Sequence, residues 1–545
     1  MTVFKTTLLA ATALTFLTGA ALAGDNNRTF VFQGDAVGSG ATVQNNGAFI
    51  TQQGGNNQAG SEANYMLQNG RDSNISIDQS GNKNLVGVSG RGVEQYGARN
   101  ALGVIQSSNS NEVGQVIQEG TLGGNETRNR LTIIQQGSGE NKVLDVLQRK
   151  SEYGNENRSS VTQNGTKNKV SLIEQKGAGN TSTIDQSGTG NNIFEYQIGK
   201  NNTDIVTQTG TGNKANIKAV GNANETTVLQ YGRGGDAYVT SGDKGLASNN
   251  NVVRIDQGVN GTGDKAYIGL YGSDRNNVDL RQDGANDTQV QLSGGRENQL
   301  YINQNFGGSA LTSTATVEGK NSSYNTLEAT QFKDSKLTLT LDNANSNGVY
   351  SYQDGQSIAV VNLDGSSYNK VGVTQTGDDH TATINATDGA DRNTVAALQF
   401  GGSGNASTIT IKGGDSNLLA TIQNGTGNRV TAMLTGSYNN SDANSASFSG
   451  TPAEFAANSL GLSPVKGIVY QEGSRNKVDL NVTGSYNAFQ TVQYGNGNQI
   501  DGSIGGNRNT AFVAQVSGGN VATFVQNGNG NSLGVVQGTV ARPAL

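Results

Sequence analysis

The 545-residue chain has no cysteine, so no disulfide contributes to its stability. Cohesion has to come from core packing and backbone hydrogen bonds. There are three prolines, Pro452, Pro464 and Pro543. Long stretches are therefore free of the residue that cannot donate to a β-ladder. His380 is the single histidine, and no phosphate loop, zinc motif or hydrolase triad accompanies it. Charged residues make up 15% of the chain, with 43 Asp+Glu against 37 Lys+Arg. A low and mildly acidic charge argues against nucleic acid and anionic membranes as main partners, since both reward a basic surface. Beyond the N-terminus no apolar run is long enough to span a bilayer. Low charge, 33% apolar residues and 78 glycines would suit a disordered or prion-like chain, but disorder needs no register, and this chain has a strict one.

Glutamine, glycine and asparagine recur every eleven residues. Glycine stands at Gly177, Gly188, Gly199, Gly210, Gly221 and Gly232. Two residues ahead of most of these come Gln175, Gln186, Gln197, Gln208 and Gln230. Three residues after them come Asn180, Asn191, Asn202, Asn213 and Asn224. The spacing returns near the C-terminus at Asn476, Asn487, Asn498, Asn509, Asn520 and Asn531. Apolar residues follow two and four positions after many of the asparagines, as Ile193, Val430, Val478 and Ile500 do, and Val206, Ile217, Val228 and Leu480. Asn, apolar, apolar, Gln and Gly thus alternate with variable polar residues, which is the period of a strand with one buried face.

Eleven is odd, so the alternation must break once per unit. The break falls in Gly-x-x-Asn, and both residues tolerate the positive φ of a turn. One unit predicts a strand and a turn. Two units, 22 residues, predict a coil that returns to its starting side. The fold expected is all-β, a β-solenoid of 22-residue rungs with two strands per rung. Stacked at about 4.8 Å, like amides can bond along the stack. Each such bond contributes about 1 kcal/mol net, against about 1.5–3 kcal/mol for each buried apolar side chain. The apolar columns then supply more cohesion per residue, and the amides set register.

The expected layout begins with a secretory signal at 1–23: Lys5, the apolar run Leu8–Leu17 and the small-x-small site at Ala21-Leu22-Ala23. A polar leader, read as disordered, follows at 24–43. Solenoid is expected over 44–435, degenerate at about 306–347, where Leu337-Thr338-Leu339-Thr340-Leu341 still reads as strand. An insertion carrying Pro452 and Pro464 is expected at 436–467, with a short helix at Ala453–Leu460. Solenoid resumes over 468–540, and 541–545 is a tail.

Chemistry-bearing residues are few. His380 occupies the asparagine place of the unit Gln375-Thr-Gly377-Asp-Asp-His380, and a repeat substitution at a turn accounts for it better than a site with Asp378 and Asp379. Catalytic residues, metal ligands and cofactors are expected to be absent. Asp185, Asp256, Lys169, Lys214 and Arg429 fall on outward positions, as a solvated face or as gatekeepers against premature aggregation. Tyr196, Tyr231, Tyr301, Tyr324 and Tyr486 could stack on sugars if outward. Glu195 and Asp204 fall on inward positions and make sense there only if local twist turns them out.

These units resemble the curlin repeat of bacterial curli fibre subunits. Gln186-Ser-Gly188-Thr-Gly190-Asn191 followed by Gln197 is a close match. So are Gln208 to Asn213, Gln423 to Asn428, Gln493 to Asn498 and Gln526 to Asn531. The chain departs from that pattern in its repeat number and in carrying Val, Ile or Leu more often than Ala after Asn-x. The resemblance implies a secreted structural protein at the cell surface or in the extracellular matrix. It implies polymerisation into amyloid fibres for adhesion and biofilm, with an outer-membrane secretion pore and a nucleator as partners. Surface glycans are a further candidate partner. The rival readings are a non-polymerising solenoid adhesin and, behind it, a polysaccharide-active β-helix enzyme.

Overall fold

The computed structural model describes residues 26–34, 43–120, 128–149, 156–242, 247–258, 262–272, 274–291, 293, 299–304, 313–320, 325–340, 342, 345–442 and 446–538. The expected signal at 1–23 and tail at 541–545 lie outside the described residues. The chain divides into two compact units, Met1–Val259 and Asn260–Leu545.

Each unit is a parallel β-solenoid with two strands per turn. In the first, strands Asn157–Thr166, Thr181–Thr189, Thr203–Thr211 and Glu225–Gln230 stack in one sheet. The intervening strands Lys169–Ala178, Asn192–Lys200, Lys214–Val220 and Asp236–Ser241 stack in the other. The second unit repeats the plan. Leu418–Thr426, Ile468–Ser474, Ala488–Tyr494, Thr510–Val516 and Ser532–Gln537 form one sheet. Arg429–Thr435, Lys477–Thr483, Gln499–Gly505 and Val521–Asn527 form the other.

The alternation in sequence is the cause. Along Thr181–Thr189 the inward residues Ser182, Ile184 and Gln186 are buried, while Thr183 and Asp185 are exposed. Such a strand buries one face between the sheets and leaves the other to water. Gly188 pairs with Gly210 one turn on, in register with Gln186 and Gln208.

The corners are built on positive φ, at positions partly different from those expected. The first glycine is left-handed, with φ +99° at Gly188, and a Cβ there would strike the carbonyl oxygen of Gly210. The other left-handed position is the residue just before the asparagine rather than the asparagine itself. It is Gly190 (φ +67°), Gly212 (φ +69°), Asn201 (φ +57°), Lys167 (φ +59°) or Arg475 (φ +58°). Because Gly190 has open space around its missing Cβ, larger residues can take its place in other turns.

Turn length also varies. The expected 22 residues separate Gln186 from Gln208, but 29 separate Gln106 from Gln135 and 48 separate Gln423 from Gln471. The paired strands stay in register and the extra residues fall between them. The longest interruption follows Asn440. It contains the helix Pro452–Asn458, whose first turn is closed by Thr451 accepting from the Glu454 amide at 3.3 Å. Ala453, Ala457 and Phe448 pack on Ala488, Val492, Phe512 and Ala514, so strand Thr510–Val516 is buried on both faces.

The stretch read as a disordered leader is in part strand. Arg28–Thr29 and Val31–Gln33 pair with Gln58–Ala59 and with Met66–Arg71. The strand Lys336–Thr340 lies in parallel register between Thr314–Val317 and Ile358–Asn362; Leu341 lies outside the described residues.

Replacing Gly188 by alanine should cost more than about 2 kcal/mol, since it combines a left-handed backbone with a backbone collision. Gly190→Ala should cost only about 1 kcal/mol, because its strain is conformational alone. Urea unfolding followed by hydrogen exchange of peptides covering 181–211 would rank the two.

Amide ladders and open ends as the candidate functional site

The recurring glutamines lie in two columns, one on each sheet. Gln163, Gln186, Gln208, Gln230 and Gln257 run up one column, each side-chain Nε2 donating to the next Oε1 at 2.7–2.8 Å. Gln175 donates to Gln197 at 2.8 Å in the other column. The second amide proton of each crosses to the opposite sheet. Gln186 donates to the Lys169 carbonyl at 3.1 Å, Gln208 to Asn192 at 3.2 Å and Gln197 to Thr181 at 3.0 Å. Each glutamine thus ties a turn to its neighbour and one sheet to the other. Spacing in the sequence points to the first of these bonds and carries no signal for the second.

The asparagines bind the corners. Asn180 Oδ1 accepts from the backbone N–H and the side-chain amide of Asn202, both at 3.1 Å, while its Nδ2 donates to the Gly199 carbonyl at 3.0 Å. Asn202 repeats this with Asn224 and Gly221. On the other corner Asn191 accepts from Asn213 and donates to Gly210, and Asn213 accepts from Gly235 and donates to Gly232. Gly177 and Gly221 lie in these glycine columns, under Gly199 and Ser248. In the second unit Asn476 holds Asn498, and Asn498 holds Asn520. Asn487 holds Asn509, and Asn509 holds Asn531. All but Asn520 and Asn531, in the last turn, are buried.

His380 takes the acceptor role of an asparagine in its column. Its Nδ1 accepts from the Asn405 backbone N–H at 3.2 Å, which places the proton on Nε2, 3.2 Å from the Thr376 carbonyl. Burial lowers its pKa, against the raising effect of the Thr376 carbonyl and of Asp378 and Asp379. Among the described residues no group of three or more His, Asp or Glu is placed to hold a metal ion.

Twist does not turn Glu195 and Asp204 outward. Both are fully buried between the sheets. Asp185, Lys214 and Arg429 are exposed on the outer face, and Asp256 and Lys169 are half-exposed there. Tyr231 and Tyr301 are also partly exposed. Tyr486 stacks on Tyr438 at 5.1 Å, and the Arg508 guanidinium lies over the Tyr486 ring at 5.9 Å from its centroid. Tyr324 lies outside the described residues.

The ends differ from the middle. In the first turn Ala48, Ile50 and Gln52 are only half-buried, whereas Ile75, Ile77 and Gln79 one turn on are fully buried. In the last turn Leu533 and Val535 are half-buried, although Ala511 and Val513 beneath them are fully covered. Val521 and Val525 on the neighbouring strand are exposed, Val525 to 64%.

Fold and ladders together define a solenoid whose turns are joined by internal amide columns. Residues 44–81 and 154–188 match the curlin associated repeat family, so these two stretches are similar to curlin repeats. No curated protein matches it. Curlin repeats belong to structural, curli-type proteins of the cell surface rather than to enzymes, and a solenoid is compatible with that class. Among the described residues no helix is long and apolar enough to cross a membrane.

Replacing Gln186 and Gln208 by leucine leaves the Gln163 and Gln230 amides facing apolar neighbours. Each should lose about 1–3 kcal/mol, the cost of a stranded buried polar group. Chemical denaturation should show the loss, with early exchange in 157–230. Below about pH 6.5, the unfolded histidine value, the unfolded chain binds the His380 proton more readily than the folded one. Stability near 370–430 should therefore fall as pH drops from there towards the lowered native value. His380→Asn should remove that dependence, read by hydrogen exchange of the same peptides.

Proposed function

We propose that this chain is a secreted structural component of a curli-like amyloid fibre or biofilm matrix, assembling by stacking turn upon turn and serving cell adhesion. The observation that carries this reading is the pair of half-covered ends. Inward residues that are fully buried one turn away are open at Ile50 and at Val535. An uncovered strand edge templates another chain of the same pattern. The contact between molecules would reuse the contact within one, so no separate binding site is needed.

The remaining parts of the reading follow from the curlin repeats. Export would use the N-terminal segment, and an outer-membrane pore and a nucleator would be its partners. The partly exposed tyrosines are candidates for contact with surface glycans. The alternating outer face would keep the chain soluble before it polymerises.

Purified mature chain should form thioflavin-positive fibres seeded by preformed fragments; absence of growth over days would favour the non-polymerising adhesin. Leu533→Lys with Val535→Lys points charge inward at an end. This pair should abolish elongation while the circular dichroism of the monomer stays unchanged.

A further inference from the structure

The interior of the first unit contains two acids among apolar neighbours. Glu195, on strand Asn192–Lys200, stacks between Ile173 and Ile217 of its own sheet. Asp204, on strand Thr203–Thr211, stacks between Ser182 and Thr226. All four neighbours are inward and buried. The Ser182 hydroxyl donates to Glu195 Oε2 at 2.7 Å. Glu195 Oε1, both carboxylate oxygens of Asp204 and Thr226 Oγ1 have no hydrogen bond of good geometry, although the Thr226 hydroxyl and the Gln197 amide lie close enough to Asp204 to act on it as donors. The neighbouring Gln197 is the end of its column, because Ala219 stands where the next glutamine would.

Among the described residues no countercharge enters this space. The charged residues on the surrounding strands are Lys169, Glu174, Lys176, Asp185, Lys200, Lys214, Lys218 and Glu225. All occupy outward positions and are exposed or half-exposed. Three stranded acceptor oxygens require donors, and carboxyl protons are the donors these side chains can supply themselves. Two ionised carboxylates in a dry interior repel and are poorly solvated.

We infer that Glu195 and Asp204 form a proton-loaded latch: the turns from Asn180 to Gln230 close with these carboxyls protonated, so mild acid favours this part of the solenoid and loss of the protons opens it. Burial raises Asp204 to about 7, against the opposing Thr226 and Gln197 groups. Burial, then the charge of Asp204, holds Glu195 well above the usual carboxylate range, with Ser182 opposing. The sign follows from linkage. The folded state binds more protons than the unfolded one between the ordinary carboxylate range near pH 4 and the raised native values. The contribution to stability is therefore complete below that range and is lost as pH rises through 7. Nothing in this inference depends on fibre growth.

Hydrogen exchange of the full-length chain, corrected for intrinsic rates, tests it in the monomer from pH 4.5 to 7.5. The opening constant of peptides covering 181–211 should rise with pH, by up to about tenfold per pH unit for each proton released. Glu195→Gln with Asp204→Asn should flatten that rise and leave peptides covering 370–430 unchanged. The wild-type slope is a test in itself, should the double variant not fold. A flat or falling opening constant in the wild type would overturn the latch. So would protection at pH 7.5 that calcium restores and a chelator removes, because a cation rather than protons would then serve the pair.

Discussion

A primary amide buried among copies of itself is satisfied in one register only. Gln186 meets Gln208 head to tail because each side chain sits one strand spacing above the last, with a carbonyl of the opposite sheet within reach of its second proton. A slip by one residue would turn the glutamine to water and bring Ser187 or Asp185 inward. Apolar columns such as Ile184–Val206–Val228 supply much of the cohesion, yet they would tolerate a shift that kept hydrophobic residues inside. The amides forbid it. The asparagines impose the same condition on the corners, since Asn180 must meet both Asn202 and the Gly199 carbonyl. Glycine follows from this closeness, because the backbones at Gly188 and Gly210 leave no room for a Cβ.

That condition also explains how much can vary. Turns differ by many residues, yet ladder positions recur, because the extra residues fall between the paired strands and leave the inward columns in register. Ser73 stands in the asparagine column between Asn46 and Asn100, and His380 stands in another. Both offer an acceptor to the next backbone N–H, and that is the function the corner needs. A helix-bearing insertion after Asn440 leaves the column intact, since Asn439 still accepts from Asn487 across 48 residues at 2.9 Å.

Much of this was legible in the sequence, and the reason is physical. Parallel stacking maps a repeat in sequence onto a column in space, so Gly188 over Gly210 and two strands per turn can be read from period alone. The strand at Val31–Gln33 was missed although Asn27 and Gln33 keep the spacing of the unit and take ladder places against Asn57 and Gln68, because Asp35 stands where the repeat glycine would and the unit is isolated in sequence. The crossing bond of each glutamine was equally hidden, because it joins residues 16–17 apart on different sheets and no repeat marks that pairing. Glu195 and Asp204 were visible as inward charges but without an account, since a one-dimensional pattern does not show that Ser182 and Thr226 share their space.

The same ladders make the two ends of the chain unlike. Each glutamine donates upward to the following turn, so at the first turn Gln52 presents its acceptor oxygen outward, where Thr29 lies 3.3 Å away, while donating to Gln79. At the last turn Gln537 accepts from Gln515 and donates across to the Val521 carbonyl at 2.8 Å, which leaves its second amide proton for a following turn. The asparagine-to-backbone bonds run in the opposite sense: Asn509 Oδ1 receives the N–H of Asn531, so in that column the last turn presents an acceptor, Asn531 Oδ1. Within each column the first and last members complement each other and not their own kind. An end joined to its own kind would set donor against donor. An end joined to the opposite kind continues every column without a new contact type. A heterologous contact that does not close yields a filament rather than a ring or a two-fold dimer. Growth by the proposed stacking would therefore be directional, as a consequence of which way the buried amides of each column point.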